Sequence, residues 1–172
     1  MQLTGADSTR FHNAVVSGDI ETIRALLGGP PWDGDPPEPV GVGHPLTYAV
    51  YHGPVSLLEA FLAAGVSPRF EDAAGFPPLI AAMTSGRADA YTLVRMLLEA
   101  GADPDERGVN GYAPLHHAAA AGDEGLVALL LEHGADATLR TGVDDDETPA
   151  DFARGAGHED IARRLAAAER QR

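Results

Sequence analysis

Two kinds of short apolar run alternate along this chain, each closed by polar or glycine punctuation. The first kind is rich in alanine and ends at a glycine, as in Pro114-Leu-His-His-Ala-Ala-Ala-Ala-Gly122. The second kind follows within a few residues and carries the i, i+3, i+4 spacing of a buried helix face, as in Val127-Ala-Leu-Leu-Leu131. Five glycines that close runs of the first kind, Gly18, Gly53, Gly86, Gly122 and Gly157, lie 35, 33, 36 and 35 residues apart. A period in the thirties, kept along the whole chain, predicts one helical unit copied and stacked.

The five first runs read Phe11-His-Asn-Ala-Val-Val-Ser-Gly18, Pro45-Leu-Thr-Tyr-Ala-Val-Tyr-His-Gly53, Pro78-Leu-Ile-Ala-Ala-Met-Thr-Ser-Gly86, the Pro114 run above, and Pro149-Ala-Asp-Phe-Ala-Arg-Gly-Ala-Gly157. The second runs are Ile23-Arg-Ala-Leu-Leu27, Leu58-Glu-Ala-Phe-Leu62, Val94-Arg-Met-Leu-Leu98, Val127 to Leu131 and Ile161-Ala-Arg-Arg-Leu165. Three units close on a glycine turn: Ala64-Gly-Val-Ser67, Ala100-Gly-Ala-Asp103 and His133-Gly-Ala-Asp136. Proline suits the first helical position, where a missing N–H costs nothing. The central glycines are expected to end each first helix at positive φ.

The order Pro-Leu-His-x-Ala-Ala, glycine, Val-x-x-Leu-Leu, Gly-Ala-Asp resembles the ankyrin repeat over roughly residues 8 to 168, most closely in the fourth unit. The resemblance implies an all-α ankyrin-repeat solenoid of helix-turn-helix units with projecting turns and looser capping units at the two ends. It places one domain over 1–172, with repeats near 8–29, 43–68, 72–105, 108–138 and 144–168 and an insertion at 28–43. It also implies a non-catalytic module that binds a protein partner through its concave groove and projecting turns. In such arrays the two positions before each central glycine face the groove, which marks Tyr51, His52, Thr84 and Ser85 as partner-binding candidates. The turn tips add Phe76, Asn110 and Tyr112. In the fourth unit the same groove positions are Ala120 and Ala121, a smooth surface.

Three departures from the period stand out. The segment 28–43 contains five prolines and the chain's one tryptophan, Trp32, beside Asp33, Asp35 and Glu38, and it excludes helix and regular strand. Trp32 either anchors an interface or folds back over the second helix. Gly86 and Gly101 are 15 residues apart where Gly53–Gly65 and Gly122–Gly134 are 12, so three extra residues lie within 87–92. They form a neutral surface insertion or a second contact point. Asp144-Asp-Asp-Glu147 lacks the alternating ligands and glycine of a calcium loop. It reads as a solvated turn before a helix N-terminus, where acids are favoured, or as a contact for a basic partner.

The formal net charge is −14, all 12 basic residues are arginine, and there is no cysteine. Disulfides and thiolate metal sites are excluded. The acidic balance disfavours nucleic acid and anionic membranes; it favours encounter with a basic protein or serves solubility alone. Arginine in place of lysine, with abundant Ala, Gly and Pro, points to a GC-rich bacterial source. Neither a secretory leader nor an apolar stretch near ~20 residues is visible, so a soluble, cytoplasmic, monomeric chain is expected.

The histidines offer no catalytic or metal constellation. His12 and His116 occupy the repeat's own histidine position, where the resemblance implies a bond to turn backbone; His117 points to another face, and His133 sits where a helix end favours a cation. His158-Glu159 begins a zinc-helix pattern, but Ala162 stands where a second histidine is required. No nucleophile elbow, phosphate loop or dinucleotide fingerprint occurs, so neither catalytic residues nor a cofactor is expected. Two further readings stay open: an antitoxin or immunity protein neutralising a basic effector, and an enzyme or small-molecule binder in a bacterial pathway.

Overall fold

A computed structural model of the protein describes residues 5–27, 45–69, 76–108, 111–142 and 146–170, and all regular structure among them is helical. The residues group into two compact units, 1–102 and 103–172. The first holds α1 (Gly5–Ser17), α2 (Ile20–Leu27), α3 (Pro45–His52), α4 (Val55–Ala63), α5 (Pro78–Thr84) and α6 (Ala90–Glu99). The second holds α7 (Pro114–Ala121), α8 (Glu124–Glu132), α9 (Pro149–Gly155) and α10 (Glu159–Glu169).

Helices this short are unstable alone, so each depends on burying one face against a neighbour. In the first unit α1 packs on α2 and α3, α3 on α4 and α5, and α6 on α4 and α5. In the second, α9 packs on both α7 and α10, and α8 on α7. Both helices of a repeat supply large apolar groups: Phe11, Leu46, Leu79, Ile80 and Leu115 from the first helices, and Ile23, Leu57, Leu58, Phe61, Leu93, Leu97, Leu130 and Leu165 from the second. Each such burial contributes about 1.5–3 kcal/mol. The first helices also bury small residues, Ala49, Ala81, Ala118 and Ala153. Proline opens α3, α5, α7 and α9 as the sequence predicts.

Helix ends repeat one hydrogen-bond pattern. At the end of α8, the Gly134 N–H donates to Leu131 O at 3.0 Å and the Ala135 N–H to Leu130 O at 3.0 Å. This crossed pair satisfies carbonyls that would otherwise lack donors. It recurs after α4 and α6, and after the first helices α1, α7 and α9. At Gly122 the left-handed backbone is joined by a close side-chain neighbour. The glycine φ is +69°, and the His158 ring lies so close that an added Cβ would stand 2.5 Å from it.

Gly53 departs from the expectation, because it is not among the glycines at positive φ. The next residue, Pro54, has no N–H and cannot close the crossed pair. Gly53 instead donates to Ala49 O at 2.7 Å in ordinary helical fashion. Glycine is needed there for space: a Cβ would stand 2.9 Å from Leu57 Cδ2 and 3.0 Å from the Ala49 carbonyl.

The carbonyls left at this end are met from the following repeat. Arg87 Nη1 donates to Val50 O at 2.9 Å and to Gly53 O at 2.6 Å, while Nε and Nη2 each donate at 2.7 Å to the Asp89 carboxylate. Arg87 and Asp89 belong to the lengthened turn of the third unit. The extra residues therefore tie that turn to the end of α3. Asp89 is held below the ordinary carboxylate range, first by the hydrogen bonds from Arg87.

Projecting turns are linked through a second repeated bond. His116 Nδ1 accepts the Ala113 N–H at 3.1 Å, so Nε2 carries the proton and donates to Glu147 O at 3.2 Å. Thr47 takes the same position in the second repeat, and its hydroxyl donates to Phe76 O at 2.9 Å. His12 holds that position in the first repeat, and its Nδ1 lies 2.6 Å from the Tyr48 hydroxyl; the segment that follows its repeat, 28–44, lies outside the described residues. His133 closes α8 through Nδ1 and Leu129 O at 2.9 Å.

Helix α9 is capped by Thr148 and Asp151, whose side chains bond each other's backbone N–H, while Asp144 and Asp145 of the acidic run lie outside the described residues. Asp146 adopts φ 47°, and Arg140 holds its carbonyl at 2.5 Å.

Replacing Arg87 with alanine leaves the Val50 and Gly53 carbonyls without their donor. Urea unfolding of Arg87→Ala should show a loss of about 1–3 kcal/mol. Arg87→Lys should recover only part of it, because an ammonium cannot fork between two carbonyls and a carboxylate as the guanidinium does.

Candidate partner-binding surface

The central glycine fixes where each first helix stops, and so fixes which residues stand exposed at its end. In the first unit the position two before that glycine carries Val16, Tyr51 and Thr84, and the position one before carries Ser17, His52 and Ser85. Val16 is 53% and Tyr51 42% accessible, and His52 and Thr84 are also exposed.

Tyr51 and His52 do not stand alone. The His52 ring lies 4.6 Å from that of Tyr48, one helical turn earlier, and 5.5 Å from that of His12 on α1. Tyr48 is backed by Phe11 at 5.6 Å, and the Tyr51 ring is 6.3 Å from His52. Four polar aromatic rings, His12, Tyr48, Tyr51 and His52, thus share one end of the α1–α3 packing. Burial and the nearby His12 push His52 below the ordinary imidazole value, and burial raises Tyr48. His12 and Tyr48 were not selected from sequence as binding residues. Their joint signal is the succession of ring-bearing residues six and five places before consecutive central glycines.

Other candidates are placed less freely. The Thr84 and Ser85 hydroxyls donate to Ile80 O at 2.8 Å and Ala82 O at 2.9 Å, so both already close the end of α5. Phe76 is half-buried and offers its carbonyl to Thr47. Trp32 and Asn110 lie outside the described residues.

Tyr112 belongs to the second unit. It is half-buried among aromatic rings, 5.4 Å from Phe152, 5.9 Å from His117 and 6.2 Å from His116. It braces the base of a turn more than it projects from one. In this unit the positions before the central glycines are the exposed small residues Ala120, Ala121, Gly155 and Ala156, as the smooth reading of the fourth repeat anticipated. Among the described residues no group of three or more His, Asp or Glu is gathered as metal ligands would be. No helix among them is long and apolar enough to cross a membrane.

A family profile described as Ankyrin repeats (3 copies) matches residues 46–141 and 88–171. A rice chain (Oryza sativa subsp. japonica) named as a probable E3 ubiquitin-protein ligase is 37% identical over 123 residues, 67% of this chain and 22% of its own length. An ankyrin repeat-containing protein of Treponema pallidum (strain Nichols) is 32% identical over 121 residues, 52% of this chain and 41% of its own. Ankyrin repeat and SOCS box protein 16 of Mus musculus is 49% identical over 59 residues, 34% of this chain and 13% of its own. The chain spans less than half the length of each of these relatives.

His52, His116 and His117 are all pushed below the ordinary imidazole value, with burial the first cause in each. The folded state then binds these protons less readily than the unfolded chain, so stability rises with pH across the imidazole range and is lost as pH falls through it. The thermal midpoint should be flat above about pH 7.5 and fall between about pH 7 and 5. His116→Gln should flatten that fall while lowering the midpoint at pH 8, as differential scanning fluorimetry would read directly.

Proposed function

This chain belongs to the ankyrin-repeat family, and we propose that it binds a protein partner through the groove-facing end of its first three repeats, centred on Tyr51 and His52. Ankyrin repeats are an interaction fold, and the family is generally non-catalytic. One observation carries the location. The exposed large hydrophobic side chains among the described residues are Val16, Tyr51 and Tyr91, all in the first unit, and two of them occupy the same groove position in successive repeats.

The ring cluster supports this reading energetically. Tyr51 stands beside His52, whose ring lies against Tyr48 and His12, so His52 has little side-chain freedom to lose on association. An exposed aromatic on a rigid helix end has the character of an interface anchor. Thr84 extends the same edge, while Tyr112, Phe76 and Ser85 act as supports of the neighbouring turns and helix end. The net charge of −14 favours a basic partner and electrostatically steered encounter.

Capture of a partner from native lysate on immobilised chain, followed by titration with the purified partner, tests the location. Tyr51→Ala should weaken the complex by at least about 30-fold, the scale of a central anchor. Tyr91→Ala, on the second helix of its repeat, should leave affinity within about two-fold, as substitutions outside the energetic centre do. Binding that ignores Tyr51→Ala and Val16→Ala overturns the assignment. A complex unaffected by raising salt from 50 to 500 mM would remove the electrostatic part alone.

A further inference from the structure

We infer that the His12–Tyr48–Tyr51–His52 face receives a cationic side chain, arginine or lysine, of a basic partner. This rests on the protein-binding reading above and adds the chemistry of the contact.

Three features point to a cation. The first is the rings themselves. Tyr51 presents an exposed phenol ring 6.3 Å from His52, and ring faces attract cations within about 6 Å of their centres.

The second is hydrogen-bonding capacity. A neutral imidazole keeps one nitrogen as an acceptor. His12 places Nδ1 against the Tyr48 hydroxyl at 2.6 Å, whereas His52 has no hydrogen-bond partner among the described residues. Partial desolvation and the nearby His12 hold His52 below the ordinary imidazole value, which favours its uncharged form. An uncharged imidazole whose acceptor nitrogen has no partner among the described residues matches an N–H donor and offers little to a carboxylate or phosphate.

The third is the field at the end of α3. His52 is the last residue of that helix, whose carbonyl end favours positive charge. The chain itself places a guanidinium at this end, since Arg87 donates to the Val50 and Gly53 carbonyls. The Asp89 carboxylate takes two hydrogen bonds from Arg87 and offsets its charge. The chain's net charge of −14 favours the approach of a further cation.

The test uses the full chain and two small probes, Nα-acetyl-arginine amide and Nα-acetyl-citrulline amide, which differ in charge at nearly constant shape. Side-chain NMR resonances of His12, Tyr48, Tyr51 and His52 are followed at pH 7.5 and fixed ionic strength. The arginine probe should produce saturable shifts at these four residues, with an affinity at least about three-fold above that of citrulline. Tyr51→Leu, at an exposed position and of similar apolar bulk, should abolish the difference, and Tyr51→Phe should preserve it.

Equal affinity for the two probes overturns the inference, as do arginine shifts spread over acidic residues elsewhere with none saturating at the cluster. If either occurs while Tyr51→Ala still disrupts the captured complex, the binding surface stands and only the cationic chemistry falls. If the probes behave as expected but the captured complex ignores Tyr51→Ala, the protein-binding assignment falls instead.

Discussion

Every short helix leaves carbonyl groups at its end that must find donors within a few residues, and this requirement organises the repeat. A helix of seven to thirteen residues has much of its backbone near an end, so the cost of leaving those groups unmet would rival what its buried leucines contribute. The crossed bonds at Gly134 and Ala135 answer it within one chain turn. They also reverse the backbone sharply enough for the next helix or turn to begin at once. The period of the glycines is therefore the period of a hydrogen-bonding solution, with the apolar pattern set around it.

Where that solution is blocked, the structure changes in a connected way. Pro54 removes the N–H that would complete the crossed pair after α3. A glycine that would otherwise turn left-handed remains in helical bonding, and Val50 and Gly53 are left with open carbonyls. Arg87 fills both from the next repeat, and Asp89 orients it. The proline of one repeat and the extra residues of the following one are thus complementary parts of a single contact. Pro54 also has a packing role of its own, because its ring lies against Gly18, where an added Cβ would stand 2.9 Å from Pro54 Cγ.

The fold was legible because its determinants are local in sequence. Proline at a helix start, a leucine pair at helical spacing and glycine at a helix end each act within about one turn. The exposed positions of Tyr51 and His52 were legible for the same reason, being counted back from Gly53. The Arg87 contact was not, since it joins residues 34 and 37 apart and depends on which backbone groups an unrelated proline has left open. The same holds for His12 and Tyr48, 36 residues apart, whose meeting requires two helices to pack in a definite register. The bonds of the Thr84 and Ser85 hydroxyls were not legible in their groove positions either, because a hydroxyl near a helix end has carbonyls of its own helix in reach.

The two units present different surfaces at equivalent positions, and the difference follows from side-chain size. Ala120, Ala121, Gly155 and Ala156 have almost nothing to bury on association. Val16, Tyr51 and His52 have both area and, in the last two, polar atoms. Area alone does not make an anchor, because a freely rotating tyrosine loses entropy when it is captured. What distinguishes the patch beside Tyr51 is the support of His52. The His52 ring lies against Tyr48, Tyr48 lies against Phe11 and bonds His12, and Phe11 is buried in the core. That chain of contacts runs from an exposed ring to the interior without passing through a flexible side chain, and it couples the candidate surface to the same packing that holds α1 to α3.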